Sequence, residues 1–120
     1  MTIVQSPVIS LDLKKKRIRI HKQTLHLLGD PGYIQFLVNP DTKMIAIKVC
    51  EKEARLSHKI NYDAAVDCDF YSKELLEQLG TVSPDLIAGY TYRLTGKVHK
   101  KRGLAIFHMD KSSPVCDIKQ

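Results

Sequence analysis

A nine-residue segment of this chain occurs twice. Residues 21–29 and 72–80 agree at four of nine positions, which are a lysine, two leucines and a closing glycine. The two shared leucines of each copy lie three positions apart, which places them on one face of a helix. Gly29 and Gly80 suit the left-handed backbone position at which helices end. The repeat therefore predicts two short helices, at about residues 22–28 and 73–79.

The same order of predicted elements surrounds both copies. An alternating polar and apolar run precedes each helix, at residues 17–21 and 66–71, and alternation is typical of a strand. Two apolar runs joined by a turn follow each helix, and Asn-Pro-Asp in the first turn favours a hairpin. The chain is therefore predicted to be mainly β with short helices. A strand–helix–hairpin unit lies at about 10–50 and again at 66–111, with a polar linker at 51–65.

The length and composition fit one domain, residues 1–120, in which both units share a core. The chain has 120 residues, of which 43% are hydrophobic, and half of it is too small to bury a sufficient apolar surface alone. Strand alternation and helix spacing select the inward positions. The predicted core comprises Ile18, Ile20, Leu25, Leu28, Ile34, Phe36, Val38, Ile45, Ile47, Leu76, Leu79, Leu94, Ile106 and Phe107.

Positive charge is concentrated in two segments. Nineteen Lys and Arg against thirteen Asp and Glu leave a net charge of +6. Residues 12–22 hold six cations and one acid, residues 93–102 hold five cations and no acid, and residues 51–85 hold eight acids. Such a balance points to an acidic partner, most often nucleic acid. The alternative is that these cations lie on strand ends and turns, where they are solvated and bind no partner.

The first unit resembles the swapped-hairpin barrels of the AbrB/MazE/MraZ superfamily. Units of that family run from a basic strand with Gly-Arg through Ile-Pro into a short helix ending in Leu-Gly, and then a hairpin. Here residues 17–21 stand where Arg-x-x-Ile-Pro would, and Leu28 and Gly29 stand where Leu-Gly would. Two copies in one chain look most like the MraZ arrangement, in which a tandem pair forms one barrel.

The match has departures, and they bear on what the resemblance implies. Lys16 replaces the family's glycine, His21 replaces its proline, and the second copy has Cys68 where the first has Arg17. The resemblance implies a swapped-hairpin β-barrel that binds DNA through a basic loop and its first strand. Arg17 is the only clear match to a DNA-contacting residue of the family.

We therefore expect duplex DNA to contact the two basic segments. Cations at the phosphates release counterions, and six of them would give a log–log salt slope near ~5. An arginine of the first strand would reach a guanine edge. The alternatives are an edge strand whose lysines prevent aggregation and a solvated hairpin turn. The candidate residues are Lys14, Lys15, Lys16, Arg17, Arg19, Lys100, Lys101 and Arg102.

Signatures of other functions are absent from the sequence. There is no glycine-rich phosphate loop, GxSxG or HExxH motif, so no enzyme and no cofactor are expected. The histidines lack ligand spacing, so no metal is expected, although Asp67 and Asp69 on one strand face are an alternative magnesium pair. The three cysteines suit free thiols. With no membrane span and no signal peptide, a cytoplasmic protein is expected.

Two functions remain open at this point. The first is a small DNA-binding protein, either a transcriptional regulator or an antitoxin-like module, acting as a homo-oligomer. The second is a protein-interaction or assembly module of the same barrel fold that does not bind DNA. The net charge and the first basic segment favour the first function, whereas Asp67 and Asp69 before the second helix favour the second.

Overall fold

The computed structural model describes residues 6–61, 68–82, 89–111 and 113–114. Within these residues the chain is mainly β, with two α-helices, which confirms the predicted fold class of a mainly β chain with short helices. The helices are α1 Lys22–Leu27 and α2 Lys73–Val82. The strands are β1 Val8–Asp12, β2 Arg17–Ile20, β3 Tyr33–Asn39, β4 Met44–Val49, β5 His58–Lys59, β6 Cys68–Tyr71, β7 Thr91–His99, β8 Leu104–His108 and β9 Ser113–Pro114.

The strands form one antiparallel sheet that curls into an open half-barrel. Their order is β5-β3-β4-β8-β7-β1-β2-β6, with β9 added on β7. Strand β7 belongs to both halves of the sheet, because it pairs with β1 up to Thr95 and with β8 from Gly96 onward. A side chain at Gly96 would overlap the carbonyl oxygen of Ile106, so the close approach of these strands requires glycine.

The concave face of the sheet carries the core, and most of the predicted core residues are buried there. Leu28, Phe36 and Val38 are only half-buried and pack around it. The prediction for Ile106 is wrong. Ala105 and Phe107 point inward on β8, and alternation therefore turns Ile106 to the outer face.

Strand β1 contributes to the core but is not among the predicted strands. Its residues Ile9 and Leu11 are fully buried, and Leu13 after it is nearly so. The alternation of apolar Ile9 and Leu11 with polar Ser10 and Asp12 is itself a strand signal. The sequence analysis placed the first strand of the unit only at residues 17–21, and β1 was therefore not recognised.

The two helices end differently, although their sequences repeat. Gly29 follows α1 with φ of 86°, as predicted for a helix end. The same prediction for Gly80 is wrong, because α2 continues through Gly80 to Val82, which packs against the core. The Ser72 hydroxyl accepts the Leu75 N–H at 3.2 Å and so caps α2. Among the described residues, no helix is long and apolar enough to cross a membrane.

Candidate nucleic-acid interface

The lysines of the first basic segment form the turn between β1 and β2. The Asp12 carboxylate accepts the backbone N–H of Lys14 at 3.1 Å and of Lys15 at 3.0 Å. Lys16 closes the turn with φ of 55°. Lys14 and Lys15 are exposed and Lys16 is half-exposed. We call these three residues the lysine turn, and Asp12 holds its backbone in place.

The two predicted arginines of β2 are tied to carboxylates on both neighbouring strands. The ladders place Asp12 opposite Arg17 and Asp69 opposite Arg19. Arg17 donates from Nε to Asp12 at 3.1 Å and from Nη1 to Asp69 at 3.2 Å. Arg19 donates to both oxygens of Asp69, at 2.8 and 3.1 Å. Asp69 therefore links both arginines on the outer face of the sheet.

This network offsets much of the positive charge that the sequence suggests for β2. The hydrogen bond from Arg19 is the main cause that lowers the pKa of Asp69, and nearby positive charges lower it further, against the opposing effect of burial. Asp69 is thus ionised at neutral pH. The Arg17 side chain is 18% exposed and that of Arg19 is 40% exposed. Of the two, Arg19 is the more accessible to a ligand.

A polar groove of about 190 Å³ lies beside the lysine turn on the outer face of β1, β2 and β7. Arg17 and Arg19 line it together with Arg93 of β7. Arg93 is exposed and forms no ion pair with any residue the structure describes. Ser10 and His21 also line the groove and are hydrogen-bonded to each other at 3.0 Å.

The sequence analysis did not single out Arg93. The missing signal was the pairing of β1 with β7, which sets Arg93 opposite Ser10 on the same face. That pairing joins residues 79 to 87 positions apart in the chain. Alternation within one strand cannot reveal such a neighbour, because it fixes the face of a residue and not the adjacent strand.

Comparisons with known proteins add no assignment to this groove. Neither a protein-family model, nor a curated protein, nor a solved structure matches the chain. The resemblance to swapped-hairpin barrels therefore stays a prediction.

The Lys100–Arg102 tip of the second basic segment lies away from the first segment, whereas Arg93 at the other end of the second segment lines the groove. Lys100–Arg102 form a 3₁₀ turn between β7 and β8, and all three side chains are exposed. Asp12, next to the lysine turn, pairs with Thr91 at the start of β7. Lys100 follows directly after the end of β7. Nine residues of strand span about 27 Å. The structure thus places the two basic turns at opposite ends of β7 and does not bring all eight candidates together.

The predicted alternative magnesium pair does not fit the site. Both carboxylate oxygens of Asp69 accept hydrogen bonds from arginine, which leaves them poorly disposed toward a cation. Asp67 lies outside the described residues. Within the described part of the chain, no three His, Cys, Asp or Glu side chains are grouped to hold a metal ion.

Proposed function

We propose that this chain is a two-repeat swapped-hairpin barrel that binds duplex DNA. The register between β2 and β6 supports the repeat. The sequence repeat makes Arg17 equivalent to Cys68 and Ile20 equivalent to Tyr71. The ladder pairs Arg17 with Tyr71 and Ile20 with Cys68. A two-fold axis between equivalent antiparallel strands produces this crossed pairing.

The other strand pairings support the same symmetry. β4 of the first unit pairs with β8 of the second, and these strands occupy equivalent places in their hairpins. β1 comes directly before β2 in the chain and pairs with β7 of the second hairpin, as β5 comes directly before β6 and pairs with β3 of the first hairpin. Such an exchange of partners between units is the feature that the swapped-hairpin proposal requires.

Ring contacts support closure of the barrel on the remaining side. Phe36 of β3, His58 of β5 and Phe70 of β6 meet edge to face, with ring centroids 5.2 to 5.5 Å apart. β5 and β6 are the two ends of the strand order. The aromatic cluster thus joins the two edges of the curled sheet through side chains.

The lysine turn is the observation that carries the DNA proposal. Its backbone is fixed by Asp12, while its three ammonium groups form no ion pair with any described residue. Cations on a turn whose backbone is hydrogen-bonded suit phosphate contacts, which depend on charge and need little directional precision. Arg19 and Arg93 line the adjacent groove and extend the surface. Lys100–Arg102 would provide a separate phosphate contact.

The protein that this proposal describes is a cytoplasmic transcriptional regulator or antitoxin-like module. Duplex binding measured by fluorescence anisotropy across a salt series tests it. Lys14→Gln with Lys15→Gln should weaken binding to every sequence and flatten the salt slope by about two, since each phosphate contact contributes ~0.9. Lys52→Gln with Lys59→Gln, two exposed lysines elsewhere, is the matched control. Equal effects of the two double variants would refute the surface.

The second candidate function is an assembly module of the same fold that does not bind DNA. The observation in its favour is the pairing of Arg17 and Arg19 with Asp12 and Asp69, because arginines already held by carboxylates are less available to phosphate. Failure of the wild-type chain to bind duplex DNA even at low salt would select this function.

A further inference from the structure

The outer face of β3, β4, β8 and the second half of β7 differs from the groove described above. Across it, Leu37 of β3 lies opposite Ala46 of β4, which lies opposite Ile106 of β8. Met44 lies two residues before Ala46 on β4 and therefore shares its face. We call these four residues the apolar strip. Leu37 is 43% exposed and the other three are partly exposed.

Basic side chains border the apolar strip. Lys97 of β7 is opposite Ile106, and Lys48 and His99 lie on either side of Leu104 in the next row. His108 is opposite Met44. Strands β3, β4, β7 and β8 contain no Asp or Glu. We call Lys48, Lys97, His99 and His108 the basic border.

Part of the strip and most of its border line a groove. A depression of about 280 Å³ is lined by apolar Met44 and Ile106 together with Lys97, His99 and His108 of the basic border. Isolated apolar side chains on a surface are ordinary, but a row of them next to cations and without acids marks a contact surface.

We propose that this face binds an acidic amphipathic segment of a partner protein. Apolar side chains of that segment would cover the apolar strip, and its carboxylates would meet Lys48 and Lys97. The match of charge sets the orientation and the selectivity of such contacts, while the apolar centre supplies most of the affinity. This face is separate from the lysine turn and its groove, although His99 of the basic border adjoins Lys100. The proposal does not depend on DNA binding.

The size of the face suits one segment and not a globular domain. Four strands spaced by about 4.8 Å and about five residues long give a face of roughly 300 Å². A stable interface between globular proteins buries about 800 Å² on each side. A single helix about 10 Å wide fits on such a face.

Other occupants match the face less well. A second copy of this chain would bring its own Lys48 and Lys97 to the same interface, and four lysines with no acid on these strands disfavour pairing. Nucleic acid would meet the two lysines but would leave the apolar strip uncovered, because none of its four side chains is aromatic and only the bordering His99 and His108 could stack on a base. Only an acidic chain with apolar side chains matches both features.

A selection from a random peptide library on the immobilised full-length chain tests the proposal. The recovered peptides should combine Asp or Glu with Leu, Ile or Phe at helical spacing. The tightest peptide is then measured in solution by fluorescence anisotropy. Leu37→Ser with Ile106→Ser should weaken its binding at least about tenfold, since each buried anchor contributes roughly that factor.

Two further double variants separate charge from folding. Lys48→Gln with Lys97→Gln should also weaken the peptide, and this loss should diminish at high salt. Lys14→Gln with Lys15→Gln, at the lysine turn, should leave peptide affinity unchanged. Because all of these side chains are at least partly exposed, urea denaturation should show that each variant stays folded.

Several results would overturn the proposal. One is recovery of peptides without acidic and apolar residues, and another is binding that neither face variant weakens. A third is that no peptide is recovered, while the chain adsorbs to vesicles of anionic phospholipid and the Leu37 and Ile106 variant does not. That result would assign the face to lipid. Self-association in sedimentation that this variant abolishes would assign it to a second copy.

Discussion

Arg19 and Asp69 face each other across the β2–β6 ladder and share two hydrogen bonds, from Nε at 2.8 Å and from Nη2 at 3.1 Å. The same carboxylate also accepts from Arg17. One acid of the second unit therefore holds two cations of the first. This contact joins the halves of the fold, and it also competes with any phosphate for the arginines.

The first prediction concerns stability. Asp69→Asn should destabilise the fold by about 1–2 kcal/mol, because it removes a charged acceptor from two arginines. This loss is smaller than the loss expected for a fully buried ion pair, because the Arg19 side chain is 40% exposed to solvent. Urea denaturation at pH 7 measures it. Asp41→Asn is the control, because Asp41 lies exposed in the β3–β4 turn, and equal losses in both variants would contradict the role of Asp69.

The second prediction concerns DNA. If Asp69 competes with phosphate, Asp69→Asn should raise affinity for duplex DNA. The log–log salt slope should become steeper by about one to two, because one or two more phosphate contacts form. Salt-dependent anisotropy detects the change. Asp41→Asn removes the same charge from the β3–β4 turn and should have a smaller effect. A lower affinity in Asp69→Asn would mean instead that the carboxylate positions Arg17 and Arg19 for DNA.

The third prediction concerns the position at which β7 passes between the halves of the sheet. Gly96→Ala should destabilise by about 2–3 kcal/mol, because the added methyl group overlaps the Ile106 carbonyl oxygen and approaches Phe107. Gly32→Ala, where a methyl group would meet open space, should change stability by less than about 0.5 kcal/mol. Thermal denaturation of both variants checks the difference, and similar midpoints would contradict the close approach.

The fourth prediction concerns the core. Ile20 is fully buried and Leu28 only partly. Ile20→Ala should therefore cost about 2–4 kcal/mol, and Leu28→Ala should cost clearly less. Equilibrium unfolding of both variants measures the difference. A loss below about 1 kcal/mol at Ile20 would mean that the register of β2 is wrong.

Much of the fold could be predicted because local patterns determine it. The repeated leucines predicted both helices, and alternation predicted the inward face of β2, β3 and β4. Strand β1 was missed although Ile9 and Leu11 alternate with polar residues, because the first strand of the unit was placed only at residues 17–21. Gly80 was assigned to a helix end because it matches Gly29, but packing of Val82 extends the second helix.

The candidate site was less predictable because it depends on pairing between distant strands. Sequence composition found the cations of β2 but could not show that Asp69 faces Arg17 and Arg19. The same limit hid Arg93, which joins the groove only through the β1–β7 ladder. Register between strands that are far apart in sequence is set by the whole sheet and not by either strand alone.

The last prediction concerns pH and the aromatic cluster. Burial among Phe36 and Phe70 lowers the pKa of His58. Two charged residues lie near His58: Glu74 of α2 lines a depression together with His58 and Phe36, and Lys59 follows His58 on β5. With a pKa near ~6.5 in the unfolded chain, His58 binds a proton more readily when unfolded. Its contribution to stability is therefore complete above about pH 6.5 and decreases as the pH falls toward the lower folded-state pKa.

His58→Phe keeps an aromatic ring in the cluster but cannot be protonated. The wild-type chain should lose stability between pH 7.5 and 5.5, and His58→Phe should lose distinctly less, because its ring stays neutral in both the folded and the unfolded chain. Urea denaturation at the two pH values measures both losses. His99→Gln removes an exposed histidine and should leave the wild-type loss nearly unchanged. If His58→Phe and the wild type lose the same amount of stability, the pH dependence does not arise from His58 in the aromatic cluster.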